Sequence, residues 1–314
     1  MRTAWTMGFV AVAALSFCFP DFIVFRFGQA TIWAIALLGL VMLCGIGGQF
    51  SFAQAALYGM GGYTAAIIGG EQGAGGNPYL ALLLAPLIGY AAGYGLGRVA
   101  AGHGIWTQAL VTYALAVAFP QLLRWRVIEN WTGGVQGLYL DPPRPPLEGL
   151  GQDRWIFFLA LALLALAWRL SHNIIFSRSG RALTAARDDE LAAAAQGIRV
   201  IHVRSVASGF AGACLALAGC LAGFQYGFVG PTAYNFALSV QMLFGLVVGG
   251  MAAPAGALLG GIFLEFFPDI VAPLGKGLSS LLYAVLLIGA IVAMPTGIAG
   301  AAGLVWKRLR LSTP

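Results

Sequence analysis

Apolar residues run along this chain in long blocks, not in the alternating or one-sided patterns of soluble elements. Stretches near 4–19, 30–46, 50–69, 79–99, 104–124, 155–171, 204–224, 236–251, 256–271 and 278–296 carry almost no charge. A helix needs about 20 apolar residues to cross a bilayer. The ten blocks therefore predict eight to ten transmembrane or re-entrant helices. The block 50–69 and the pair within 236–271, interrupted at Ala252-Ala253-Pro254, are short or broken by glycine, a pattern of segments that cross only part-way. The first block follows Met1-Arg2 and lacks a small-x-small cleavage site, so it reads as a retained helix and not as a removable leader. The expected fold class is all-α, a polytopic membrane protein with residues 1–314 as one transmembrane domain.

Composition agrees and narrows the picture. The 314 residues are 60% hydrophobic and 9% charged, with mean hydropathy +0.85, against roughly 25% charged in soluble domains. Too few hydrated side chains are present to cover a soluble globule. Glycine is abundant, at 45 residues, and disorder is excluded because it requires low hydrophobicity. Gly89, Gly93 and Gly97 recur every fourth position, as do Gly219, Gly223 and Gly227, the pair Gly245 and Gly249, and the pair Gly256 and Gly260. Such rows let helices approach closely in lipid. Cys18, Cys44, Cys214 and Cys220 lie inside apolar runs without metal-type spacing, and read as small buried hydrophobes. The three histidines are dispersed.

Charge placement gives orientation. With Arg2, the 172–203 loop and the Lys307-Arg308-Leu309-Arg310 tail on the inner side, 11 basic residues lie inside and six outside, while three acidic residues lie inside and eight outside. This is the positive-inside pattern, and it predicts both termini inside and an even number of crossings. It also accounts for the net charge of +6 without nucleic acid as a partner.

Two loops stand out. The outer one, 125–153, contains Trp131-Thr132-Gly133-Gly134 and the stiff stretch Asp141-Pro142-Pro143-Arg144-Pro145-Pro146. The inner one, 172–203, predicts a helix from Arg181 to Gln196, with Ser179 as N-cap and Gly197 as the left-handed stop. Leu183, Leu191, Ala194 and Ile198 are expected on one face with Arg187. The mixed charges Arg187, Asp188, Asp189 and Glu190 do not suit a helix lying on anionic lipid, which prefers basic faces. A docking helix for a cytosolic protein fits them better.

Enzyme motifs are absent. Gly275-Lys276 lacks the spacing of a phosphate loop, and neither Gly93-x-Gly95 nor Gly59-x-Gly61 continues into a dinucleotide fingerprint. Neither catalysis by this chain nor a cofactor is expected. The run from Gly47 to Gly59 places Gln49, Ser51, Gln54 and Tyr58 in an apolar stretch. Two readings stand: capping and helix–helix hydrogen bonding, or the lining of a path for a small solute. Glu265, followed by Pro268 and Asp269, is read as an outer-boundary residue, with attraction of a substrate amine as the alternative.

Several of these stretches together resemble one family. Ser177-Arg178-Ser179-Gly180-Arg181-Ala182-Leu183, Ala185-Ala186-Arg187-Asp188-Asp189-Glu190 and Ala192-Ala193-Ala194-Ala195-Gln196-Gly197-Ile198 resemble the coupling-helix region of branched-chain amino-acid ABC importer permeases of the LivM type. Gly48-Gln49-Phe50-Ser51, with Gly59, Gly61 and Tyr63, is similar to that family's Gly-Gln-x-Ser-x-Gly-His motif, although Gln54 stands where the family usually has His. Thr132-Gly133-Gly134 with Gly137-Leu138, and Val248-Gly249-Gly250 with Gly256 and Gly260, resemble further family segments. The resemblance implies a permease in the bacterial inner membrane. Its partners would be a second permease of the LivH type, two cytosolic ATP-binding subunits and a periplasmic substrate-binding protein. It assigns ATPase coupling to Arg181, Arg187, Asp188, Asp189, Glu190 and Gly197. Branched-chain or other amino acids are the implied substrates; urea, amides or another small polar solute, and a stand-alone transporter or channel, are the alternatives.

Overall fold

The computed structural model describes residues 16–70, 76–100, 102, 104–146 and 151–271. The expected final helix, most of the first, Arg2 and the basic tail lie outside the described residues. The helices are α1 (Asp21–Leu40, continued by a π-helix over Val41–Ile46), α2 (Gln54–Gly69), α3 (Pro78–Ala100), α4 (Ile105–Leu123), α5 (Glu129–Thr132), α6 (Gln152–Ile175), α7 (Arg178–Asp188), α8 (Glu190–Ala195), α9 (Val200–Tyr226), α10 (Phe236–Gly249) and α11 (Pro254–Val271). Two short strands, β1 (Leu138–Tyr139) and β2 (Phe228–Val229), pair antiparallel. This is the all-α polytopic fold expected. By length and composition, four helical segments among the described residues can cross a membrane: Asp21–Ile46, α3, α6 and α9.

Contacts sort the helix ends onto two faces. Asp21 pairs with Arg154 at 3.0 Å, Tyr79 Oη donates to the Arg144 carbonyl at 2.9 Å, and β1 meets β2 on one face. On the other, Arg187 reaches the Gly45 carbonyl at 3.1 Å and Tyr94 Oη lies 3.3 Å from His202 Nδ1. The loops 125–153 and 172–203 thus fall on opposite faces, as the charge pattern requires. Asp21, where α1 starts, and Asp269, near the end of α11, lie on the same face, Asp269 through its ion pair with Arg26. The chain between them makes an even number of passages.

Helix α9 is the centre of the bundle, with Leu215, Leu221 and Phe224 fully buried. Glycine rows bring its neighbours in. A Cβ at Gly89 or Gly93 would run into the carbonyls of Gly212 or Ser208, and one at Gly61 into that of Ala216. Small residues on both sides allow backbone contact, which replaces the hydrophobic drive that lipid does not supply. Gly249, Gly256 and Gly260 bring α10 and α11 together in the same way.

Glu265 is tied into the bundle. Its side chain is only 14% exposed and pairs with Arg26, which also binds Asp269 and stacks over Phe266. It joins α11 to α1 towards the face that carries Asp21 and Asp269. Removing one partner of a fully buried pair costs roughly 3–5 kcal/mol. For this half-buried pair, Arg26→Met is expected to cost about 2 kcal/mol, read as a lower Tm in detergent. Arg26→Met with Glu265→Leu should recover most of that loss.

Candidate functional site

Two non-helical segments enter the bundle from opposite faces. Residues 47–53 follow the π-helix, turn at Gly48 (φ +63°) and precede α2. Residues 227–235 leave α9 at Gly227 (φ +64°), pair through β2, and descend through a 3-10 turn, Pro231–Tyr234, to α10. Helices α2 and α10 have 16 and 14 residues, about 24 and 21 Å, short of the roughly 30 Å hydrocarbon core. The irregular segments make up the difference, as the short blocks in the sequence suggested. Backbone of this kind survives at membrane depth only when buried in protein or lining a cavity.

Polar side chains satisfy it. Phe52 N–H donates to Thr112 Oγ1 and Ala55 N–H to Ser239 Oγ, both at 3.0 Å. Asn235 caps α10 by accepting from Leu238 N–H at 3.1 Å. The ring of Phe52, in the first segment, and that of Phe236, the first residue of α10, lie 5.4 Å apart. Gln49 is 2% exposed; its amide donates to the Arg204 carbonyl at 3.1 Å and accepts from Gln108 and Ser208 at 3.3 and 3.2 Å.

Of the four candidate path residues, Gln49, Ser51 and Gln54 come together. Gln54 Nε2 donates to the Ser51 carbonyl at 2.5 Å, while its buried Oε1 has no hydrogen-bond partner. Tyr58 sits a turn further along α2, stacked on Trp33 at 5.9 Å and beside Tyr234. The side chains of all four are buried. Gln108, Thr112, Ser208 and Ser239 complete this set of buried polar side chains and were not singled out in the sequence; the i, i+4 pairing of Gln108 with Thr112 inside an apolar block was the available signal.

The inner loop differs from the single helix expected over Arg181–Gln196. Ser177, not Ser179, is the cap, accepting from the backbone N–H groups of Ser179 and Gly180. The helix then breaks at Asp189 (φ −153°, ψ 111°), whose carboxylate caps α8 through Ala192 N–H at 3.0 Å. A side chain that can cap a new helix competes with continuing the old one. Gly197 has φ +83°, and Ile198 N–H returns to the Ala193 carbonyl, a glycine stop of the expected kind. The break also rearranges the faces. Leu183, Ala186, Ala193 and Val200 are buried, whereas Leu191, expected beside Leu183, is 82% exposed.

The six loop candidates therefore divide. Arg181, Asp188, Asp189 and Gly197 lie at the surface. Arg187 and Glu190 are also exposed but bond back to the bundle, Arg187 to Gly45 and Glu190 to Arg204 at 2.8 Å.

The family described as "Branched-chain amino acid transport system / permease component" matches residues 22–294. This chain belongs to that family. Among the relatives, LivM of Salmonella typhimurium, a high-affinity branched-chain amino acid transport system permease protein, is 26% identical over 84% of the chain. The chain covers 65% of that relative's length. LivH of the same organism is 27% identical over 85% of the chain and 91% of its own length. LsrC of Escherichia coli, an autoinducer 2 import system permease protein, is 27% identical over 66% of the chain and 58% of its own length. No solved structure matches this member of the permease family.

Proposed function

We propose that this chain is the membrane-spanning permease subunit of an ATP-driven ABC importer in the bacterial inner membrane. The observation that carries the reading is the helix pair α7–α8: capped at both starts, stopped by glycine, bonded back to the bundle, and leaving Leu191 exposed. A free-standing transporter has no use for such a pair; an ATP-binding subunit with a groove does. Two such subunits, a second permease of the LivH type and a periplasmic substrate-binding protein complete the assembly. The 125–153 loop is the periplasmic one, and 172–203 the cytoplasmic one.

Helix α4 supplies the surface for the second permease. Trp106, Leu110 and Tyr113 are exposed along it. Beside them an open groove of about 390 Å³ lies between α4 and residues 231–236. Arg124 and the start of α10 border this groove, and both favour a carboxylate. The lining beyond it (Gln49, Ser51, Gln54, Gln108, Thr112) is neutral, which suits a solute without net charge. A zwitterionic amino acid, branched-chain or otherwise, meets both conditions; urea or an amide meets only the second.

Uptake of labelled leucine, isoleucine and valine tests the substrate. Cells lacking both this gene and those of the ATP-binding subunits should lose uptake, and recover it only when the chain and those subunits are expressed together. Recovery by the chain alone, or loss confined to urea or amide uptake, would overturn the reading.

A further inference from the structure

The loop candidate Arg187 is placed to act on the membrane segment and not on the partner. Its Nη1 donates to the Gly45 carbonyl, and its side chain lies against Gly48, where any Cβ would run into Arg187 Cγ. Asp188 accepts from the same guanidinium at 2.9 and 3.0 Å, fixing its direction. A second connection runs beside it. Arg204, at the start of α9, donates to Glu190 at 2.8 Å and to the Ala186 carbonyl at 3.2 Å. The carbonyl of Arg204 itself accepts from Gln49. The junction between the two helices of the docking pair is thus bonded from both of its sides, directly or through one residue, to Gly45–Gln49.

That stretch can change shape. It begins in a π-helix, a geometry concentrated at functional sites, and Gly48 occupies the left-handed region open to glycine. The Met251 carbonyl, in the turn between α10 and α11, rests so close to Gly45 that a Cβ there would overlap it. Beyond Gly48, Gln49 holds Gln108 of α4 and Ser208 of α9 together by neutral hydrogen bonds. Amide and hydroxyl partners can exchange without exposing a charge to lipid.

We infer that residues 45–49 form the hinge of an inner gate, with Arg187 and Arg204 as positioning residues that transmit motion of the docking pair to it. The pair is held as a unit by Ala186, Ala193 and Val200, so a displacement imposed on α7–α8 draws on both connections. Opening separates Gln49 from Gln108 and exposes Ser51. This rests on the docking reading above.

The test uses the assembled transporter in nanodiscs, with the native cysteines replaced and Ser51→Cys introduced. The labelling rate with a small cationic thiol reagent is compared with and without trapping by ATP and vanadate. Trapping should change the rate by about tenfold, within the usual range of coupling between sites. Arg187→Ala should remove most of that change while the ATP-binding subunits stay bound, and Arg187→Lys should restore part of it. Gly48→Val, which displaces the Arg187 side chain, should act like Arg187→Ala. A full nucleotide response in both Arg187→Ala and Gly48→Val overturns the hinge and leaves docking intact. Failure of ATP-binding subunits to assemble with the unsubstituted chain overturns both.

Discussion

Leu191→Glu is expected to detach the ATP-binding subunits while leaving the permease folded. Leu191 is 82% exposed and stands on the second helix of the docking pair, so a charge there disturbs no internal packing. In an apolar groove the same charge is desolvated without a partner, and central apolar anchors of interfaces lose about 2 kcal/mol or more on such a change. Binding should weaken roughly thirtyfold or more, read as loss of the subunits on affinity purification, together with loss of uptake. Leu191→Met should retain both. Wild-type binding by Leu191→Glu would place the docking contact elsewhere. Gly197→Val acts differently: its Cβ meets nothing within 4 Å, but the left-handed backbone costs a branched residue about 1–2 kcal/mol. It should shift the angle between α8 and α9 and uncouple ATP hydrolysis from uptake with binding retained.

The second large effect lies in the bundle. Gly219→Leu places a side chain where the Tyr58 carbonyl of α2 already sits. A side chain can be pushed aside, but here the obstacle is backbone, so α2 and α9 must part. Overpacking costs about 1–3 kcal/mol even where side chains yield, and this site should exceed that. The variant should fail to yield a monodisperse protein in detergent. Gly95→Ala is the internal control. It lies on the exposed face of α3 with nothing within 4 Å of an added Cβ, and should gain about 0.5–1 kcal/mol from the better helix residue. Equal behaviour of the two variants would show that glycine content, not close helix contact, matters here.

Much of this was legible in the sequence because bilayers impose simple rules. Apolar block length located the helices, and the Lys/Arg distribution separated the loop faces. The shortness of 50–69 and of the 236–251 block marked the irregular segments. What escaped was long-range or competitive. Arg26 and Glu265 are 239 residues apart, and no spacing rule joins them. Asp189 can sit in a helix or cap one, and the second role prevailed, moving Leu191 to the surface. Ser177 and Ser179 are both plausible caps two residues apart, and only the backbone geometry chooses. Gln49 and Gln54 were visible as polar positions, but the partners of Gln49 on α4 and α9 were not. Gln54 retains one unpartnered buried oxygen, at the position where the family motif usually carries His.

The most direct measurement is uptake in proteoliposomes. The complete assembly, with ATP on the side of the α7–α8 pair and loaded binding protein on the other, is predicted to accumulate labelled leucine or another amino acid. Removing ATP or the ATP-binding subunits should abolish accumulation. Accumulation driven by an ion gradient through this chain alone would contradict the account.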